Sequence, residues 1–356
     1  MLERSPQTMT MERPAAPPLH VGAAEGAQTL PGETMEFRVI DRKALDVAAW
    51  EELTRRSSFF HTHQWVDTCV EGLSPGAHGE FLCGYSGGRL VAGMPAVIIS
   101  RLLLRSFYSM PYGTYGEVVL ADGTDAALRD EFYVHLVTYL KSNRFSRISI
   151  TDFDRNFSRL IEPFLSHSGT FTHIIRLNGD TEHIPPDRKI NGHIRAGQRA
   201  ESEIEIVSTR DQLNEFYRLY EMTEKRHGSI KLLYSKHFFA SVLKHLGGSE
   251  MLYWNCLMHE GRMIGSCINF IYNDSLFNWQ TVSNYEFRHL KPNHLLLSES
   301  IRYGIERGVK EINLGASPPY AHSLIDYKER WGGVKVEYDS YLSDSWFRRM
   351  FGRASG

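Results

Sequence analysis

The sequence has little of what would staple, anchor or strongly charge a protein. Four of its 356 residues are cysteine, Cys69, Cys83, Cys256 and Cys267, and none forms a C-x-x-C pair. That scatter argues against a zinc site or a disulfide framework and fits small apolar fillers in a reducing compartment. His61 and His63 in "HTHQW" have no acidic residue or cysteine beside them, so they read as a helix entry and no metal is expected. No charge of one sign prevails: 40 basic residues stand against 42 acidic ones. A global field for DNA is therefore missing, while a local basic patch for an RNA end is compatible with this balance. Long apolar runs are also missing. "VAGMPAVIIS" falls well short of the ~20 residues of a spanning helix, and Arg101 ends it. There is no G-x-S-x-G and no cysteine paired with a convincing histidine, which leaves no strong nucleophile.

What is present is a chain that is 42% hydrophobic, enough for one large core or two ordinary ones. Residues 1–34, Pro/Ala/Gly-rich and without an apolar segment of the secretory kind, read as a flexible tail. Residues 344–356 read as a second tail, whose "WFRRMFGR" allows at most peripheral contact with an anionic membrane. A cytoplasmic location is expected.

Between the tails the chain repeats itself. Trp65 precedes Gly88 by 23 residues and Phe238 precedes Gly261 by 23, and each glycine is followed by Arg, two apolar residues and two small ones. Each unit predicts a helix, a strand, a tight glycine turn and a return strand, followed later by a helix and a strand. Phe132, Leu136, Val137 and Leu140 share one helical face, as do Leu297, Ile301 and Ile305. Pro292 suits a first helical turn and Gly308 a stop. The expected architecture is mixed-sheet α/β (α+β) in two tandem domains, 35–180 and 181–343. The basic stretch "PPDRKINGHIRAGQRAES" connects them and walls a groove.

The ordered series "KINGHIRAGQRAESEIEIV", "FYRLYEMTEKRHG", "HEGRMIGSCINF", "KPNHLLLSESIRYGIERGVKEINLGAS" and "YKERWGG" resembles the FemAB-type, GNAT-like acyltransferases. "FFHTHQWVDTCV" and "SMPYGTYGEVV" match more loosely, and the resemblance spans roughly 36–342. It implies two tandem acetyltransferase-fold domains that move an acyl or aminoacyl group from an activated carrier to an amine. The aromatic-lysine pair of the family's last element falls on Tyr327 and Lys328, tyrosine replacing the usual phenylalanine. Lys328 is thereby the first catalytic candidate, a cation for the carbonyl oxygen as it gains charge. Tyr327 and Trp331 would hold its stem and exclude water, with Gly332 and Gly333 letting backbone approach a ligand. A lysine acting as general base would need a strongly depressed pKa, and nothing in the sequence argues for one.

Pattern alone reads the same stretch as an amphipathic turn with Trp331 in the core and Lys328 in water. Ser317 ends a buried strand, a common ligand position, and Trp279 suits an acyl slot or simple core packing. Arg195 and Arg199, four apart on a helix, could hold a phosphate-bearing carrier or only face solvent. Where coenzyme-A-dependent relatives carry pyrophosphate-binding glycines, "RHLKPN" offers Arg288, Lys291 and Asn293. That departure favours an aminoacyl-tRNA or other carrier as donor and leaves acyl-CoA open, with no tightly bound cofactor. A small-molecule or cell-envelope precursor is the expected acceptor, the tRNA acceptor end a candidate partner, and Glu299 a candidate base. The alternative is a non-catalytic duplicated module that binds a nucleotide-sugar or glycan precursor during polysaccharide assembly.

Overall fold

The computed structural model describes residues 34–344 apart from 74, 156–164, 178, 180 and 181. The tails expected at 1–34 and 344–356 lie outside the described residues almost entirely. The first half runs β1 (Glu36–Asp41), α1 (Val47–Thr54), α2 (His63–Leu73), β2 (Ala77–Ser86), β3 (Arg89–Arg101), β4 (Leu104–Tyr108), β5 (Val119–Leu120), α3 (Ala126–Ser142), β6 (Arg147–Asp152) and β7 (Ser166–Arg176). The second runs α4 (Arg188–Gln198), β8 (Ser202–Ile206), α5 (Arg210–Arg226), α6 (Lys236–Leu246), β9 (Leu252–His259), β10 (Arg262–Tyr272), β11 (Ser275–Ser283), α7 (Pro292–Glu306), β12 (Glu311–Ala316), α8 (His322–Arg330) and β13 (Val334–Asp344). No helix among the described residues is long and apolar enough to cross a membrane.

The duplication is visible in three dimensions. Gly88 and Gly261 turn the β2–β3 and β9–β10 hairpins with φ of 79° and 71°, a region open to glycine at no steric cost. Helices α2 and α6, the paired helices of the two repeats, pack against each other. A side chain at Gly72 would place its Cβ 2.6 Å from both Phe238 Cδ2 and Ser241 Oγ, so the helices approach as closely as they do because this residue has none. The Ser241 hydroxyl donates to Thr68 O at 3.0 Å across the same contact. Gly72→Ala should therefore destabilise the fold by about 1–3 kcal/mol through overpacking. The checking measurement is the urea unfolding midpoint, which should fall with the slope unchanged.

All strands form one sheet in the order β1-β2-β3-β4-β6-β13-β7-β12-β11-β10-β9-β8, with β5 paired beside β3. The halves exchange their last strands. β7 lies against β12 of the second half, and β13 lies against β6 of the first, with β7 and β13 paired to each other. Every central ladder thus depends on both halves. One face carries the core that both halves share, in which Trp65, Phe238, Phe270 and Trp279 meet. On the other face of the second half, α4, α7 and α8 bury Ile194, Leu297 and Trp331 against Ile175, Leu276 and Leu314.

Candidate active site

The sheet opens where β11 and β12 part. Their parallel pairing covers Ser275–Phe277 against Glu311–Asn313 and goes no further. β11 runs on to Ser283, whereas β12 bends at Gly315, φ 74°. The bend is held locally, because the Asn313 side-chain oxygen accepts from Gly315 N at 2.9 Å and from the Thr172 hydroxyl at 2.6 Å. A split between strands leaves backbone donors and acceptors facing a gap, a ready seat for an extended polar ligand.

Lys328 closes this split. It lies on α8, whose end explains the "WGG" that follows. Gly332 N donates to Glu329 O at 2.9 Å and Gly333 N to Lys328 O at 3.0 Å, the paired bonds of a helix stop with its left-handed residue at Gly332, φ 89°. A Cβ at Gly333 would sit 2.8 Å from Lys328 O and 3.1 Å from the His173 Cβ. Both glycines thus serve the helix end and its packing on β7, correcting the expectation that they bring backbone to a ligand. Trp331 is buried in the core, and the His183 ring donates to its carbonyl at 2.9 Å.

The Lys328 side chain is 6% exposed, so the reading that left it in water is also corrected. Its Nζ donates to Gly315 O at 2.8 Å, Ala316 O at 3.0 Å and Ser317 Oγ at 2.9 Å. Burial lowers its pKa to about 7. A group this close to neutrality can stabilise charge or exchange a proton, an option that the sequence did not suggest. Its sign is definite. The unfolded chain binds this proton up to pH 10.5 and the folded chain only to about 7, so burial of the ammonium costs stability below 7 and the cost disappears as pH rises to 10.5. His173, buried under Gly333, has its own pKa lowered by burial and then by the Lys328 charge.

Ser317 is 2% exposed and touches Lys328 through its hydroxyl. Tyr327 donates to Asn293 O at 3.4 Å, and its ring faces Trp331 and His294. It joins α8 to the start of α7. There Lys291 adopts φ 58° and Pro292 opens the helix, so the lysine takes the left-handed conformation that glycine would adopt more cheaply. The Arg288 guanidinium stacks on Tyr285 at 4.5 Å, as does that of Arg226 at 5.4 Å, a second cation that no motif singled out. Arg195 and Arg199 are exposed on α4 and at its end, and they flank Gly197, whose missing side chain lets α4 rest on Leu290 and Leu295. The structure therefore gathers Arg195, Arg199, Arg288, Lys291 and Asn293 on adjoining elements around the start of α7. Trp279 stands elsewhere, its ring packed at 4.9 Å from Tyr234 and 5.7 Å from Trp65 in the shared core. Glu299 is held by Arg302 and by the Tyr253 hydroxyl. All four cysteines are buried, and burial raises the Cys267 thiol to about 11, leaving no thiolate nucleophile there.

A second feature escaped sequence reasoning. Where the halves meet, a cavity of about 570 Å³ is lined by Phe60, Tyr115, Phe277, Asn313 and four acids, Glu117, Asp154, Asp274 and Glu311. Burial, then the neighbouring Asp154 charge, pushes the Glu117 carboxyl up to about 8. Burial raises Asp154 as well. Phe153 N donates to Glu117 Oε2 at 3.3 Å. His61, kept neutral by burial with its pKa near 4, donates to Glu117 O at 3.1 Å and accepts from the Ser58 hydroxyl. Asn313 joins cavity to split, since its amide donates to the Tyr115 hydroxyl at 3.0 Å while its oxygen holds Gly315. The only hint in the sequence was a single acid after the aromatic, glycine-rich "SMPYGTYG".

Residues 187–329 match the family model described as an acetyltransferase (GNAT) domain. No curated protein matches the chain. Among solved structures, FemX superposes with a TM-score of 0.67 at 13% identity, covering 89% of this chain and 99% of its own. A tandem GNAT protein from the clavulanic acid biosynthesis pathway gives 0.56 at 12%, covering 87% and 98%. The L-PGS of Bacillus licheniformis gives 0.50 at 12%, covering 73% and 84%. The fold is that of tandem GNAT proteins, and residues 187–329 of the second half carry the match to the acetyltransferase (GNAT) domain.

Proposed function

We propose that this acyltransferase moves an acyl or aminoacyl group from an activated carrier directly to an amine, with 181–343 holding the donor and 35–180 helping to hold the acceptor. The observation that carries this reading is the buried Lys328 ammonium fixed at the mouth of the strand split. The donor carbonyl enters the split, and the carrier's phosphates lie along Arg195, Arg199, Arg288 and Lys291 at the start of α7, with Asn293 beside them. The acceptor amine approaches through the Glu117 cavity. Its nitrogen attacks the carbonyl carbon, and charge builds on the oxygen against Lys328 and the Ser317 hydroxyl. The amine proton passes to the Glu117 carboxylate, and the carbon–oxygen or carbon–sulfur bond to the carrier breaks, with the leaving group taking a proton from solvent.

Lys291 and Asn293 in place of glycines favour an aminoacyl-tRNA donor over acyl-CoA. The acceptor is an amine on a cell-wall or polysaccharide precursor, and the reaction takes place in the cytoplasm. The test is thermal shift of the full chain against acetyl-CoA, a longer acyl-CoA, charged tRNA and uncharged tRNA, since a ligand of the native state must raise the melting temperature. A rise with charged tRNA above that with uncharged tRNA is expected. A rise with an acyl-CoA alone would replace the donor, and no rise with any of them would overturn the reading. Arg195→Gln/Arg199→Gln should weaken the productive ligand about tenfold and flatten its salt dependence.

A further inference from the structure

At the far end of the sheet from Lys328, the β3–β4 hairpin ends in three consecutive leucines. Leu102 and Leu103 form the two-residue turn, and Leu104 is the first residue of the return strand, paired with Arg101. Their relative exposures are 104%, 99% and 58%. Leu102 holds φ 52°, a conformation that a two-residue hairpin normally assigns to asparagine or glycine. Both turn chemistry and solubility therefore oppose leucine at this tip. Single exposed apolar residues need no explanation, but three in a row on a projecting turn do.

The surroundings say what covers it. Ser146 N and its hydroxyl both donate to Arg105 O, which brings the α3–β6 turn beside the hairpin. Arg101 to Arg105 and Lys141 to Arg147 together contain five basic residues and no acidic one. Arg101, Lys141 and Arg144 are exposed, while Arg105 lies over the Phe145 ring at 5.1 Å. An apolar tip inside a cationic collar is complementary to an anionic bilayer, whose acyl boundary takes the leucines while its headgroups meet the arginines. The chain leaves the sheet at the same edge, because Asp344 pairs with Arg147 and Arg147 with Ser106.

We propose that the Leu102–Leu104 tip and its basic collar dock this protein on an anionic lipid surface. β13 runs from the α8 end of the sheet to this edge, a span of about 33 Å at the usual rise per residue, so the docking site is separate from the strand split. Peripheral attachment of this kind leaves the split and the cavity in water.

The test is co-sedimentation of the full chain with vesicles of phosphatidylglycerol and phosphatidylcholine, against vesicles of phosphatidylcholine alone. Binding to the anionic vesicles, weakened by salt, is expected. Leu102→Asn/Leu103→Gly should lower the partition coefficient at least tenfold with the melting temperature unchanged or raised, because the new pair suits the turn. Arg101→Gln/Arg144→Gln should lower it several-fold and reduce the salt dependence. Absence of binding, or equal binding by the tip variant, would overturn the proposal. So would binding that depends only on 345–356, seen as its loss in a chain ending at 344 while the tip variant binds like wild type. Self-association abolished by the tip variant, with no vesicle binding, would point to a second copy as occupant and overturn it too.

Discussion

Lys328→Met will lower turnover about a hundred- to a thousandfold, the loss expected when one fixed donor to a developing oxyanion is removed, and will leave the melting temperature within a few degrees. The stability expectation follows from two opposing effects. The variant deserts Gly315 O, Ala316 O and Ser317, and it also removes an ammonium whose burial lowered its pKa to about 7. Since wild type sheds that cost as pH rises from about 7 to 10.5, its melting temperature should gain on the variant's across this window. Lys328→Arg separates cation from base. Arginine stays charged at every accessible pH, so it should keep part of the activity and lose the alkaline limb of kcat/KM, the limb a required cation imposes. Loss of the acid limb instead would make the lysine a base and sink the oxyanion role. Normal turnover by the methionine variant would remove Lys328 from the mechanism altogether.

Glu117→Gln should cost about a hundred- to ten-thousandfold in kcat/KM, the range for a positioned general base, and should abolish the acid limb. The buried carboxyl, raised to about 8, must lose its proton before it can take one from the amine. Its stability effect has a definite sign. The folded chain holds this proton to about 8 and the unfolded chain only to about 4.5, so wild type loses stability as pH climbs through that interval. Glutamine cannot ionise, so the variant should gain on wild type over the same interval, and differential scanning calorimetry across that range reads the difference. An unchanged pH profile would show that the cavity does not receive the reacting amine. The two variants also distinguish faults. Failure of Lys328 alone undoes the donor side, and failure of Glu117 alone undoes only the acceptor side.

The elements were legible where local chemistry decides them. Gly88 and Gly261 mark hairpins because only the residue without a Cβ enters a left-handed turn freely, and both appear there. The apolar stripe of α3 buries Phe132, Leu136 and Leu140, α7 begins at Pro292, and Gly308 follows its end. The matched spacing of Trp65 and Phe238 pointed to two like units, whose helices α2 and α6 pack on each other. "YKERWGG" stood out only through the family resemblance. Its glycines stop a helix, which a seven-residue pattern cannot distinguish from ligand approach.

Sequence alone thus determined the alternation of helices and strands and the repeat, because each depends on neighbours within a few positions or on matched spacing, whereas Lys328 became the first residue to suspect only through the family resemblance. Tertiary structure alone decided the exchange of β7 and β13, the burial that brings Lys328 to about 7, and the meeting of Glu117 with Asp154. These are long-range properties. Strand exchange depends on which partner completes a ladder from more than a hundred residues away. A pKa depends on how much water the rest of the chain removes, and no stretch of sequence carries that quantity by itself.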